Sequence, residues 1–428
     1  MAKVLKWLAI AVAALVLLLV AMAMLLQYWL RTDDFRTRVE KEAGAALGVP
    51  FKLGRLSIDL WPLPAVAVDD VQIQTRPVLS VGRIEARPSY PALMTGKLQV
   101  ATLVVRKAVL PQTAIATLSA AMQKKEKGAA KPAKPATSSS SGRSTMDLLP
   151  RRAEFDDITW IDDKGQRMTA DAEADLGHDG LLDAASFKIV QGRLAGTHGK
   201  ITREGEFWPL RVDIGGGRIT GKLQLQPGKN HTTQILSGNL VTEDVEVSAL
   251  TAPSKPLTGR LEAQTTLRSE FKEPGQLADV LATQTRFTVH DALVKGIDLQ
   301  KAVETVGLSR GGITRLDTLS GQVNTQGKAV QLTNLVAKSG VLSATGNVSV
   351  SAAQALSGRV DVDVVRSKGT VGVPLEVGGT VDEPSVMLTR GAMVGAAVGT
   401  LVAPGPGTAA GAGAGNRLGD MLRGLFSK

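Results

Sequence analysis

The sequence predicts a mostly β protein: a membrane-spanning helix at the N-terminus, then an elongated antiparallel β-sheet with few short helices, and a helical tail rich in small residues. Three observations carry this. Trp7–Leu26 is an unbroken apolar run. From Leu56 to about Leu388 apolar residues recur, with gaps, at every second position, the period of a strand with one apolar face. Aromatic residues make up only 4% of the chain, while glycine reaches 45 of 428 residues. Large aromatics usually fill globular cores, so their scarcity favours a thin or extended sheet over a compact enzyme domain.

The apolar run follows Lys3 and Lys6 and ends near Gln27, before Arg31, Asp33 and Asp34. Roughly 20 apolar residues match the hydrocarbon thickness of a bilayer. Trp7 at one end and Tyr28 with Trp29 at the other fit interfacial belts. Ala21-Met22-Ala23 also has the pattern of a signal-peptidase site, but it lies inside the run, so residues 1–30 read as an uncleaved anchor. The short N-terminal tail is expected to stay cytoplasmic. In a bacterium that places a single-pass protein in the cell inner membrane with its bulk in the periplasm.

Residues 31–121 open with a short amphipathic helix capped by Asp33 or Asp34, with Phe35, Val39, Ala43 and Leu47 at helical spacing. Gly48 and Pro50 stop it. Period-two strands follow: Leu56, Ile58 and Leu60; Val66 and Val68, then Val71 and Ile73; Leu98 and Val100, then Leu103 and Val105. Residues 122–150 form a Lys/Ala/Pro/Ser-rich linker with nothing to bury. Alternation resumes near Phe155 and defines a body over 151–389. Turn signals such as Lys164-Gly165, Gly215-Gly216-Gly217 and Gln326-Gly327 punctuate it. A helix is expected near Gln300–Val306. Val330 with Leu332, Val348 with Val350, and Val360, Val362 and Val364 mark late strands.

A short motif echoes through these strands: Asp69-Asp70-Val71, Asp156-Asp157-Ile158, Glu243-Asp244-Val245 and, more loosely, Thr333-Asn334-Leu335. The acidic or amide residue suits a turn before a strand, and the recurrence suggests a repetitive sheet. Residues 390–428 differ. Gly391, Gly395 and Gly399 have small-xxx-small spacing. After a Pro/Gly/Ala stretch, Leu418, Met421, Leu422, Leu425 and Phe426 line one face of a short helix, suited to lying on a membrane surface or to capping the sheet.

The chain has no cysteine, which excludes disulfides, thiolate metal sites and cysteine nucleophiles. His178, His198, His231 and His290 fall at no metal-ligand spacing and in no nucleophile motif. His290-Asp291 are neighbours in a strand and would point to opposite faces. No phosphate-binding loop occurs. The net charge of +10 favours anionic partners, but much of the excess sits in the linker (Lys124, Lys125, Lys127, Lys131, Lys134, Arg143), without the basic–aromatic interleaving of nucleic-acid sites. The expectation is no enzyme, no catalytic residues, no metal, no cofactor and no nucleic-acid partner.

These residues together resemble the AsmA family of bacterial envelope proteins. At the N-terminus the resemblance lies in the anchor, Ala43-Gly44-Ala45-Ala46-Leu47-Gly48, Gly54-Arg55-Leu56-Ser57-Ile58-Asp59-Leu60-Trp61-Pro62 and Asp69-Asp70-Val71. Within 285–389 it is closer: Val289-His290-Asp291-Ala292-Leu293-Val294-Lys295-Gly296-Ile297-Asp298-Leu299, Thr314, Leu319-Ser320-Gly321, Val341-Leu342-Ser343-Ala344-Thr345-Gly346, Val373-Pro374-Leu375, Gly379-Thr380 and Pro384. Ala292 and Asn347 depart from it, each where the family has a smaller residue, and the tail is outside it.

The resemblance implies a long, twisted, U-shaped sheet with an apolar inner groove, tethered to the inner membrane and involved in phospholipid transport toward the outer membrane. Phospholipid or another acyl lipid, the inner membrane itself, and other envelope proteins reached through the tail or a sheet edge are the expected partners. Val66, Val68, Val71, Ile73, Leu98, Val100, Val360, Val362 and Val364 are the groove candidates. An ordinary sandwich with both apolar faces sealed remains the rival architecture, and a scaffold for outer-membrane protein assembly the rival function.

Overall fold

In a computed structural model of the protein, the structure describes residues 33–59, 65–89, 99–128, 150–162, 165–228, 233–251, 256–272, 277–304, 311–366, 369–389 and 391–392. The expected anchor with Trp7, Tyr28 and Trp29, the groove candidate Leu98, and the tail residues Leu418, Met421, Leu422, Leu425 and Phe426 lie outside the described residues. The chain divides into two units, Met1–Gly196 and Thr197–Lys428.

The first unit begins with helix α1 (Asp33–Leu47), ended by Gly48 at φ 72°, a left-handed conformation that suits glycine. Strands β1 (Phe51–Lys52), β2 (Leu56–Asp59), β3 (Ala65–Ile73), β4 (Leu79–Pro88) and β5 (Val100–Pro111) follow. Helix α2 (Gln112–Gly128) leads on to β6 (Arg152–Ile161), β7 (Arg167–Leu176) and β8 (Leu182–Gln191). β1 and β2 both pair with β3, and from β3 to β8 each strand pairs with the next.

One pair corrects the expectation of an antiparallel sheet: β5 and β6 are parallel. Parallel neighbours need a crossover of a dozen or more residues, and the chain between Pro111 and Arg152 supplies it. Helix α2 was not expected. It reaches Gly128, into the segment assigned to the linker; residues 129–149 lie outside the described residues.

The second unit is a meander of β9 (His198–Thr202), β10 (Phe207–Ile214), β11 (Gly217–Pro227), β12 (Gln234–Glu246), β13 (Leu257–Phe271), β14 (Ala282–Lys295), β15 (Ile313–Gln326), β16 (Ala329–Lys338), β17 (Leu342–Val350), β18 (Leu356–Arg366), β19 (Gly369–Gly379) and β20 (Pro384–Leu388). Each pairs antiparallel with the next. Short helices α3 (Val247–Leu250), α4 (Leu277–Val280) and α5 (Leu299–Glu304) interrupt it; the last coincides with the helix expected near Gln300. The turn between β10 and β11 is Gly215-Gly216, at φ 58° and 80°, the two-residue hairpin that needs positive φ at both positions.

The echoed motif is not a turn before a strand. Asp70, Asp157, Asp244 and Asn334 have φ of 53°, 57°, 51° and 52°; each stands inside a strand, and the register slips at Asp157, Asp244 and Asn334 while it is kept across Asp70. Asp291, at φ 50°, stands at another slip, between β13 and β14, and Lys107 has φ 53° with its register kept. The slips are β-bulges, which bend a strand and sharpen its twist. Asp and Asn are the side chains that tolerate the left-handed region best, which explains their recurrence. The neighbouring strand satisfies the displaced amides: Asp157 N–H donates to Asp171 Oδ1 and Asn334 N–H to Asn347 Oδ1, both at 2.9 Å. Across the left-handed Asp70, Val68 comes together with Val71 and Ile73 in one cluster despite the change of parity, and Val66 lies on the same face as Val68.

Candidate binding face of the first unit

Residues opposite each other in a ladder share a face, so the register traces rows across the sheet. One row of the first unit runs Leu56–Val68–Ile84–Val105–Phe155–Ala172–Phe187. The next runs Ile58–Val66–Ala86–Leu103–Ala153–Ala174–Ala185. Both cross β2 to β8 and every position is apolar. A further row, Leu110–Trp160–Met168, lies on the same face of β5 to β7.

The face is only partly covered. At one margin Leu53, Leu56, Val71, Leu79, Val81, Ala108 and Ala114 form a buried cluster, with Val39, Val68, Ile73 and Leu110 packed on it. Helices α1 and α2 contribute to this cluster through Val39 and Ala114. Away from it the apolar side chains meet solvent: Val66 is 42% exposed, Phe187 38% and Trp160 37%.

The other face of the same strands is ionic. Asp69–Arg83–Arg106–Asp156 is one row across β3 to β6, closed by Arg83–Asp69 at 2.9 Å and Arg106–Asp156 at 3.2 Å. Beside it Glu85 is buried and takes Arg83 at 2.7 Å, Arg106 at 3.1 Å and Arg87 at 3.2 Å. Burial pushes the Glu85 carboxyl up, but the hydrogen bonds from Arg83 and Arg87 and the charge of Arg106 outweigh it and hold it below its ordinary value. On β6, Arg152 meets Glu154 at 2.7 Å and Glu173 at 3.0 Å. One face thus carries interlocked charge and the other carries none within these rows.

The second unit also segregates its faces. Strand β13 places Leu261, Ala263, Leu267 and Phe271 inward and Arg260, Glu262, Gln264, Thr266, Arg268 and Glu270 outward. An apolar row runs Val245–Leu261–Val289–Leu319–Ala337–Ala344–Val362–Val373. Here the face is sealed: Val245, Val289, Val362 and Leu375 are 0% exposed. Helix α5 lies on it, burying Ala302 and Val303. Asp298 caps the helix, accepting from Lys301 N–H at 2.9 Å. The buried Thr314 hydroxyl pins it, donating to Ile297 O at 2.8 Å and accepting from Leu299 N–H at 3.0 Å. Over β9 to β12 the face is half-buried at Leu210, Val212, Ile219 and Leu240, as it is at Leu319, Val323, Leu335 and Val348 further along.

The groove candidates therefore fall into two environments. Val68, Val71 and Ile73 come together at the covered margin of the first unit, Val66 lies on its open part, and Val100 pairs with Pro88 at the opposite margin. Val362 and Val364 belong to the buried cluster of the second unit, at 0% and 2% exposure, and Val360 packs against it, partly buried. Sequence reasoning did not single out Ala86, Ala153, Ala172, Ala174 and Ala185 of the open face. Their signal was present, since Ala170, Ala172 and Ala174 alternate along β7, but alanine alternation stands out less than valine alternation. His198 and His290 are exposed and face Asp213 at 3.2 Å and Glu262 at 3.8 Å. Among the described residues no His/Asp/Glu group could hold a metal, and no helix is long and apolar enough to cross a membrane.

Each unit is thus a β-sheet that sets apolar rows on one face against charged and polar residues on the other. The AsmA family model matches residues 1–176, so the resemblance to that family is borne out over the N-terminal part of the chain. The match ends at Leu176, before the C-terminal stretch that carried the closer resemblance. No curated protein and no solved structure matches the chain.

Proposed function

We propose that this chain is a non-catalytic protein of the bacterial envelope that carries phospholipid or another acyl lipid on the open apolar face of its first unit. In this reading residues 1–30 anchor it in the inner membrane and the body lies in the periplasm. The observation that carries the reading is the pair of wholly apolar rows across seven strands, left partly exposed while the reverse face is covered in ion pairs. An acyl chain in water costs about 0.8 kcal/mol per CH₂, so about 12 kcal/mol for sixteen carbons. A strip of seven strands is about 29 Å long, longer than such a chain extended. Laying the chain on the strip removes that cost without a reaction. AsmA-like features at the N-terminus support an envelope role.

Native mass spectrometry of the full chain, purified from membranes in mild detergent, tests this. Lipid is expected in a defined ratio and is expected to be lost when Ala153 and Ala174, cross-strand neighbours on the open face, are both changed to Asp. A lipid-free wild-type chain would instead favour the scaffold reading, in which the sheets serve protein partners of outer-membrane assembly.

A further inference from the structure

We propose that Arg151 is the headgroup anchor of the open face, binding the phosphate of a phospholipid whose acyl chains lie on the two apolar rows. The inference rests on the lipid-carrying reading above and names the chemical class of the ligand. Arg152 belongs to the ionic face, where it pairs with Glu154 and Glu173. Strand alternation then puts Arg151 on the apolar face, two residues before Ala153. The ladder continues through it: Leu176 N–H donates to Arg151 O at 2.7 Å, and Leu176 pairs with Leu182. Apart from the left-handed positions Asp70, Lys107 and Asp157, the apolar rows carry no charged side chain. Arg151 therefore puts a single guanidinium at the margin of an uncharged strip.

Its environment differs from that of its neighbours. Arg83, Arg87, Arg106 and Arg152 all meet carboxylates within 3.2 Å. Arg151 is half-buried, and its side chain has no hydrogen-bond or ion-pair partner among the described residues. A guanidinium beside apolar surface, with no counter-ion, favours an anion that arrives with apolar groups attached. Its planar fork of donors matches two oxygens of a phosphate. A diacyl phospholipid presents that phosphate at one end of its chains, and Arg151 stands at the margin of the rows that would hold them.

The test compares full-length wild type with Arg151→Gln, Arg151→Lys and Arg152→Gln, each purified from membranes and analysed for bound lipid by native mass spectrometry. Each is then offered phosphatidylglycerol, diacylglycerol or glycerol phosphate. Arg151→Gln is expected to lose about tenfold in phosphatidylglycerol occupancy, the size of one charge-assisted contact, while diacylglycerol uptake is unchanged. Arg151→Lys should recover part of the loss, and Arg152→Gln should match wild type. Unchanged phosphatidylglycerol occupancy in a lipid-loaded Arg151→Gln overturns the anchor alone. Glycerol phosphate binding as tightly as phosphatidylglycerol overturns it in favour of a soluble phosphate ester. A wild-type chain free of lipid overturns the reading of the face, and the anchor with it.

Discussion

The two units carry the same alternation and cover it differently. In the second, residues such as Val289, Val362 and Leu375 are wholly buried; in the first, Val66 and Phe187 on the corresponding kind of row are 42% and 38% exposed. Composition does not separate them, since both rows are uncharged. What is laid over them does. Helix α5, capped by Asp298 and pinned by Thr314, covers part of the second face, and Val247 of α3 joins the same cluster, whereas α1 and α2 reach only one margin of the first. Alternation thus reports that a face exists, and the helices between strands decide whether it becomes a core or a binding surface.

The largest expected effect comes from placing one charge on each face. Val362→Asp puts a carboxylate between Ala344 and Val373 with no partner, a change expected to cost about 4 kcal/mol or more. Thermal melts and limited proteolysis should show the second unit destabilised or unfolded. Ala174→Asp, on the open face of β7, is expected to cost less than about 1 kcal/mol and to reduce bound lipid. Equal destabilisation by the two would show that the first face is also a core and would remove the basis for lipid carriage.

This contrast marks what the sequence could show. The strands, the helix near Gln300 and the grouping of Val66, Val68, Val71 and Ile73 were legible because period-two patterns survive in valine-rich stretches. The fate of Val362 was not, because nothing in Val360-Asp361-Val362 says that a helix some sixty residues earlier lies over it. The echoed Asp-Asp-Val motif was visible, yet its role was misread: Asp suits both an ordinary turn and a left-handed bulge, and only the register separates them. The parallel β5–β6 pair was hidden because strand direction depends on the crossover, which the linker composition obscures. Arg151 escaped notice because its distinguishing feature is the absence of partners that Arg83, Arg87, Arg106 and Arg152 possess.

A smaller effect distinguishes the reverse faces. Glu85 is held by three arginines, and nothing comparable is buried among the described carboxylates of the second unit. Since its carboxyl lies below its ordinary value in the fold, its contribution is fully present above the unfolded-state value of about 4.3 and is lost as pH falls below that. Glu85→Gln is expected to lower stability at pH 7 by about 2 kcal/mol and to flatten the dependence of unfolding on pH below about 4.3, the unfolded-state value. Urea melts across that range, followed by a probe in the first unit, check it. A variant whose acid unfolding parallels the wild type would mean that the cluster contributes no net linkage.

The smallest effect concerns a device that both units share. Asp157 in β6 and Asn334 in β16 sit in left-handed bulges, and each amide donates at 2.9 Å to a side chain on the next strand. The second unit uses two amides, Asn334 with Asn347. The first uses two carboxylates, Asp157 with Asp171, which places like charges on adjacent strands. Like charges facing across strands are unfavourable by about 0.2–1 kcal/mol, so Asp171→Asn, which keeps the accepting oxygen, should stabilise the first unit by a few tenths of a kcal/mol. Salt screens such exposed charges, so the gain should shrink between 0.05 M and 0.5 M sodium chloride, while Asn347→Asp in the second unit, which pairs a carboxylate with a neutral amide, should show little salt dependence. A gain for Asp171→Asn that persists at high salt would place the difference in hydrogen-bond geometry and not in charge, and would make the two bulges equivalent except for their side-chain packing.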